Sequence, residues 1–100
     1  MLGYHEFGND ESYLRWLSDH PNGFVLNTRK EPAPRYMVLH SARCTTISLA
    51  GAPYRESGYT ERAYRKICSN EISNLRTWVR CHGRLDGSFS KECRKCTPVE

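Results

Sequence analysis

The residues best able to do chemistry in this chain are its cysteines and histidines, and four of them have the spacing of a metal site. Cys93-Arg94-Lys95-Cys96 is a CxxC pair. Two intervening residues let both sulfurs reach one tetrahedral ion from a tight turn. His40-Ser41-Ala42-Arg43-Cys44 supplies an HxxxC pair directly after a β-rich run. A strand end followed by a turn is a stiff place from which to present two ligands. Together His40, Cys44, Cys93 and Cys96 make a Cys3His set that fills all four positions of a structural Zn2+. Cys81 or His82 is the alternative ligand in place of His40 or Cys44. A redox role for the CxxC pair lacks the βαβ pattern that accompanies thioredoxin-like motifs. Cys68 and Cys81 read as small core residues, and His5, His20 and His82 as surface or capping residues.

Nothing else in the chain assembles a reaction centre. There is no HExxH, no paired carboxylates and no Ser-His-Asp set, and a coordinatively full zinc cannot activate water. A non-enzymatic binding module is therefore expected, with a small nuclease as the reading these observations weigh against. Charge suggests the partner. The formal charge is +4, from 15 Lys and Arg against 11 Asp and Glu. Residues 1–50 carry five basic and five acidic side chains, whereas residues 51–100 carry ten and six. An excess of this kind suggests an anionic partner without identifying one, and also suits a solvated surface; nucleic acid is the first partner to consider. Arg62, Arg65 and Lys66 fall on or near one expected strand. Arg76, Arg80 and Arg84 are four apart and so fall on one helical face. Arg94 and Lys95 lie inside the knuckle. Tyr54, Tyr59 and Tyr64, in or near a loop, are candidates to stack on bases. The alternative partner is a protein, met by a proline-bearing hairpin tip and by the loop over 50–60.

These residues need elements to hold them. The pattern predicts a helix over 11–20, capped by Asn9 or Asp10, with Tyr13, Leu14 and Leu17 on one face and Trp16 beside them. Pro21-Asn22-Gly23 stops it. Runs over 24–28 and 36–40 read as strands paired in an antiparallel hairpin, because the prolines of 31–34 cannot donate to a sheet. A third strand is expected over 45–49 and a fourth over 63–68. Ser69 or Asn70 then caps a second helix with Glu71 in its first turn, an apolar stripe of Ile72, Leu75, Trp78 and Val79, and Gly83 as its stop. The tail over 84–100 is too polar to anchor itself without a staple. The expected architecture is one α+β domain over 1–100: a small antiparallel sheet of three to four strands, two helices and a zinc-stapled C-terminal knuckle.

Composition agrees with a small folded domain. The hydrophobic share is 38%, with 11 aromatic residues that each bury a large area. Domains of this size often add a metal or covalent staple to a modest core. No apolar run approaches the ~20 residues of a membrane span, and the first residues lack the basic and apolar segments of a signal peptide. Five cysteines, an odd number, fit a reducing compartment better than a secreted two-disulfide scaffold. A cytoplasmic location is expected.

Several of these motifs occur together in one known setting. Tyr13-Leu14-x-Trp16-Leu17, His20-Pro21-x-Gly23-Phe24-Val25-Leu26-Asn27, Tyr36-Met37-Val38-Leu39-His40-x-x-x-Cys44, Lys66-Ile67-Cys68, Leu75-x-x-Trp78 and the CxxC resemble a recurrent small bacterial zinc-binding module, loosely associated with restriction- and defence-type proteins. The resemblance covers nearly the whole chain and implies His40, Cys44, Cys93 and Cys96 as the shared metal set. It implies no particular activity.

Overall fold

Two short helices and five strands form the framework in the computed structural model, which describes residues 3–44, 47, 64–94 and 96. In chain order they are β1 (His5–Glu6), α1 (Asp10–Asp19), β2 (Phe24–Arg29), β3 (Met37–Ser41), β4 (Tyr64–Ser69), α2 (Ile72–Cys81) and β5 (Lys91–Glu92). The strands make one sheet in the order β1-β4-β2-β3-β5. The β2–β3 hairpin is antiparallel, with Val25 opposite His40 and Thr28 opposite Met37. β4 pairs antiparallel with the other edge of β2, so β2 is central. β5 runs parallel to β3. The sheet thus has five strands and is mixed, against an expectation of three or four antiparallel ones. The two-residue strands β1 and β5 leave no periodic signal, because they join through backbone hydrogen bonds rather than through an alternating apolar row. Of the strand expected over 45–49 only Ile47 lies within the described residues, and the loop over 50–60 lies outside them.

Alternation along the strands sends side chains to two cores. Val25 and Cys68 point to one side, where Tyr13, Trp16 and Leu17 of α1 cover them. Leu26, Leu39, Met37 and Ile67 point to the other, under Leu75, Trp78 and Val79 of α2. The helices therefore lie on opposite faces, and the central strands are buried on both. This explains why Lys66, Ile67, Cys68 and Ser69 are all buried in β4, although a half-buried strand was expected there.

The helix ends follow local chemistry. The Asn9 side chain accepts from the Ser12 N–H at 2.8 Å, and Asp10 and Glu11 complement the helix dipole. At α2, Glu71 occupies the cap position instead of the first turn and makes no side-chain cap bond. The Glu71 N–H goes to Ser69 Oγ at 3.1 Å. Both helices end in the same Trp-x-x-x-His device. His20 stacks on Trp16 with its Nδ1 3.0 Å from the Trp16 carbonyl, and His82 stacks on Trp78 with Nδ1 2.7 Å from the Trp78 carbonyl. At α1 the Trp16 carbonyl also accepts the His20 backbone N–H at 2.9 Å, whereas at α2 the His82 N–H goes to the Val79 carbonyl and the imidazole serves that of Trp78. Gly83, at φ +114°, follows the second of these caps and packs against Pro34, a conformation that side-chain-bearing residues rarely adopt.

The C-terminal segment has protein contacts of its own that tie it to the sheet and to α2. Phe89 enters the core under α2. The Ser90 N–H donates to the Met37 carbonyl at 2.9 Å, and the Met37 N–H to Ser90 Oγ at 2.7 Å. Arg84 ties the turn together, donating to the carbonyls of Ser88 and Pro34 at 2.6 and 2.7 Å and to Ser88 Oγ at 2.9 Å. The expectation that the tail over 84–100 would be loose without a staple overlooked these bonds, because they are made by backbone and by one arginine rather than by apolar content.

One residue is out of balance with its surroundings. Thr28 is fully buried in β2, and its hydroxyl has no partner among the described residues. Removing an unsatisfied buried hydroxyl while keeping the shape removes a desolvation cost. Thr28→Val is therefore expected to raise stability by about 1 kcal/mol in urea unfolding; a loss of similar size would reveal a partner for the hydroxyl.

Candidate metal centre

The strand parity that sends Leu39 under α2 turns His40 to the α1 side. A turn closed by the Cys44 N–H on the Ser41 carbonyl, at 3.0 Å, then brings Cys44 back beside it. The second pair arrives from the far end of the chain. The Cys93 N–H extends the β3–β5 pairing by donating to the Leu39 carbonyl at 2.9 Å. Three residues on, Cys96 Sγ accepts the Ser41 N–H at 3.2 Å. The imidazole and the three sulfurs lie within 4.8 Å of one another. His40, Cys44 and Cys93 are buried and Cys96 is half-buried.

This arrangement can hold a metal ion. Cys44 Sγ and Cys93 Sγ are 3.7 Å apart. Two sulfurs at Zn–S distances of ~2.3 Å with a tetrahedral angle would stand about 3.8 Å apart. A disulfide would need ~2.0 Å, and all five cysteines are free thiols. Electrostatics suits the same use. Burial above all, with Lys66 and Lys91 nearby, pushes His40 down to about 4, so the ring stays in the neutral form that binds metals. Burial above all pushes the Cys96 thiol up to about 12, helped by its neighbours Cys44 and Cys93 and opposed by the Ser41 N–H. A metal entering the cluster must therefore displace protons.

Neither alternative ligand belongs to this cluster. Cys81 and His82 close α2, on the other face of the sheet, and His82 is engaged with Trp78. Cys81 is exposed rather than a core residue, because it lies off the Leu75–Trp78–Val79 stripe. Cys68 is the core residue expected: it is fully buried, and burial pushes its thiol far above the usual range.

The residues expected to face nucleic acid do not share one surface. Arg62, Tyr54, Tyr59 and Lys95 lie outside the described residues. Arg65 and Lys66 are consecutive in β4 and so point to opposite faces. Arg65 makes a paired contact with Glu6, at 2.6 and 2.7 Å. Lys66 is buried, its Nζ 2.8 Å from Asn27 Oδ1. Arg76 donates to the Gly87 carbonyl at 3.0 Å and lies over the Phe89 ring. Arg84 is not on the helix, which ends at Cys81, and its guanidinium is spent on the turn. Arg80 is exposed on α2, and Arg94 is exposed beside the metal ligands.

A different group gathers beside the cluster. Tyr36 and Tyr64 have ring centroids 5.7 Å apart, with the Arg29 guanidinium 4.9 Å from one and 5.7 Å from the other. Lys66 Nζ is 5.5 Å from the Tyr64 ring. An open cleft of about 440 Å³ lies alongside, bordered by Asn27, Tyr36, Val38, Lys91 and Arg94 and by the ligands His40 and Cys93. The signal for this face was strand parity: Asn27 and Arg29 alternate with Leu26 and Thr28, as Tyr36, Val38 and His40 do with Met37 and Leu39.

Two outcomes follow from the cluster. Cys93→Ser should lose tightly bound metal in elemental analysis and loosen the domain, whereas Cys68→Ser should keep its metal. Because uptake releases protons, occupancy should fall as pH falls; a content that stays constant on acidification until the protein unfolds would exclude thiolate ligation. Among the described residues no helix is long and apolar enough to cross a membrane. No family model, curated protein or solved structure matches the chain, so these four ligands and the face beside them are the basis for a functional reading.

Proposed function

We propose that this chain is a non-catalytic nucleic-acid-binding module whose fold is closed by one structural zinc on His40, Cys44, Cys93 and Cys96. Three thiolates and an imidazole favour zinc over the hard oxygen-seeking cations. Four protein ligands leave no position for a reactive water, which argues against a metal-dependent nuclease. The observation that carries the nucleic-acid reading is the run of sheet face on which Tyr36 and Tyr64 sit around the exposed Arg29, with the exposed Lys91 and Arg94 bordering the cleft beside Tyr36. Rings offer stacking to bases, and cations offer sequence-independent attraction to phosphates. This face replaces Arg76 and Arg84 as the basis of the reading, because those two guanidinium groups already serve the fold.

The reading predicts one zinc per purified chain by elemental analysis, and binding of labelled oligonucleotides that weakens steeply between 50 and 200 mM salt, about 0.7–0.9 log units per phosphate contact for each tenfold rise in salt. Stripping the metal with a chelator should abolish that binding. A folded, metal-free protein would overturn the zinc assignment. Capture of a protein at high salt, with no affinity for nucleic acid, would favour a protein partner instead.

A further inference from the structure

The cleft beside the metal ligands has a composition of its own. Its wall combines an aromatic ring, Tyr36, with the apolar side chains Val38 and Ile47. Its polar groups are few: Asn27 on that wall, and Lys91 and Arg94 as the two cations bordering the opening. Asn27 is held in place from one side, its Oδ1 accepting from Lys66 Nζ at 2.8 Å. Among the described residues its amide nitrogen makes one long 3.5 Å contact, with the Tyr36 hydroxyl, and an amide nitrogen carries a second N–H that can be offered to a ligand. Lys91 and Arg94 are both exposed. A volume of about 440 Å³ is within the range of small-ligand sites.

We infer that this cleft seats one nucleotide of a single-stranded nucleic acid, with its base against Tyr36 and Asn27 and its flanking phosphates on Lys91 and Arg94. An aromatic wall with one amide donor suits the flat face and polar edge of a base, and two neighbouring cations suit the phosphates on either side of it. A base inside a duplex is already stacked and paired, so it cannot enter a cleft of this kind; an unstacked one can. The metal cluster forms part of the same wall through His40 and Cys93, which fixes Lys91 and Arg94 relative to the strands.

This inference rests on the nucleic-acid reading, and the test separates the two. Fluorescence anisotropy of the zinc-loaded chain would be measured with labelled 12-nucleotide DNA and RNA single strands and with a duplex of the same length. Single strands should bind more tightly than the duplex. Tyr36→Leu should weaken single-strand binding about tenfold or more, the loss expected for one stacked base, whereas Tyr36→Phe should bind nearly as the wild type. Lys91→Glu with Arg94→Glu should lower the slope of log affinity against log salt by about 1.4, at about 0.7 per phosphate. Lys91→Glu alone covers the case in which the double variant loses zinc. Arg80→Glu, on the opposite face and outside the cleft, should leave the preference for single strands over duplex unchanged. If the duplex binds as well as the single strand and Tyr36→Leu is silent, the cleft is not a base site, although the module still binds nucleic acid. If no oligonucleotide binds at any salt, the functional reading falls and the cleft assignment with it.

Discussion

The constraint on which this molecule turns is the meeting of two stretches 49 residues apart in sequence, where the sulfurs of Cys44 and Cys93 approach to 3.7 Å. Each stretch has anchors of its own. The turn after β3 buries Ala42, Cys44 and Ile47 against α1, with the Tyr13 hydroxyl donating to the Ile47 carbonyl at 2.6 Å. The C-terminal segment contributes one large apolar side chain, Phe89, and a two-residue strand. Backbone bonds from Ser90 and Cys93 set the register of that strand against β3, and the register is what delivers Cys93 and Cys96 to His40 and Cys44. Strand pairing therefore makes the cluster, and a metal in the cluster would lock the pairing. Binding of a structural metal is worth ~10–16 kcal/mol in small zinc domains, more than any surface contact a 100-residue chain can offer.

Charge follows from the same point. A divalent ion among three thiolates and a neutral imidazole leaves a formal charge of about −1. Lys66 and Lys91 are close enough to depress the His40 ring, so they surround the cluster with positive charge in the absence of metal. With thiolates and metal in place, the same two cations become a counter-charge. Lys66 is the more constrained of the two. Burial, more than anything, pushes it down to about 8, against the attraction of Asp10. An amine so buried is retained only where it has anions and acceptors to answer, and here Asp10, Asn27 and the cluster are within its reach.

How much of this was legible in the sequence depended on the kind of interaction. The helices and the hairpin were legible because burial imposes a period, and Tyr13, Leu17, Leu75 and Trp78 keep it. The gathering of His40, Cys44, Cys93 and Cys96 was legible because their spacing is the one that a tetrahedral ion would require. The placement of β4 against β2 was not, since nothing local marks a partner strand almost 40 residues away. Nor was β5, whose pairing is parallel and made of backbone. The arginines were the least legible. Spacing put Arg76, Arg80 and Arg84 on one face, but the helix stops at Cys81, and Arg84 instead closes a turn through Ser88 and Pro34. Sequence does not distinguish an arginine that meets solvent from one that satisfies carbonyls.

The metal cluster and the cleft have common walls, so they should not behave as independent sites. His40 presents its ring to both, and Cys93 and Arg94 are consecutive on the knuckle. Losing the cross-link would free Lys91 and Arg94 from the strands that carry Asn27 and Tyr36, and two cations that wander cannot hold phosphates in register with a ring. On the proposed reading, a cluster that is structural in its chemistry would then be a condition for recognition. In the other direction, an anion held by Lys91 would take counter-charge away from a loaded cluster of about −1, so on charge alone metal and ligand would oppose each other, and any mutual support would come from the walls they share.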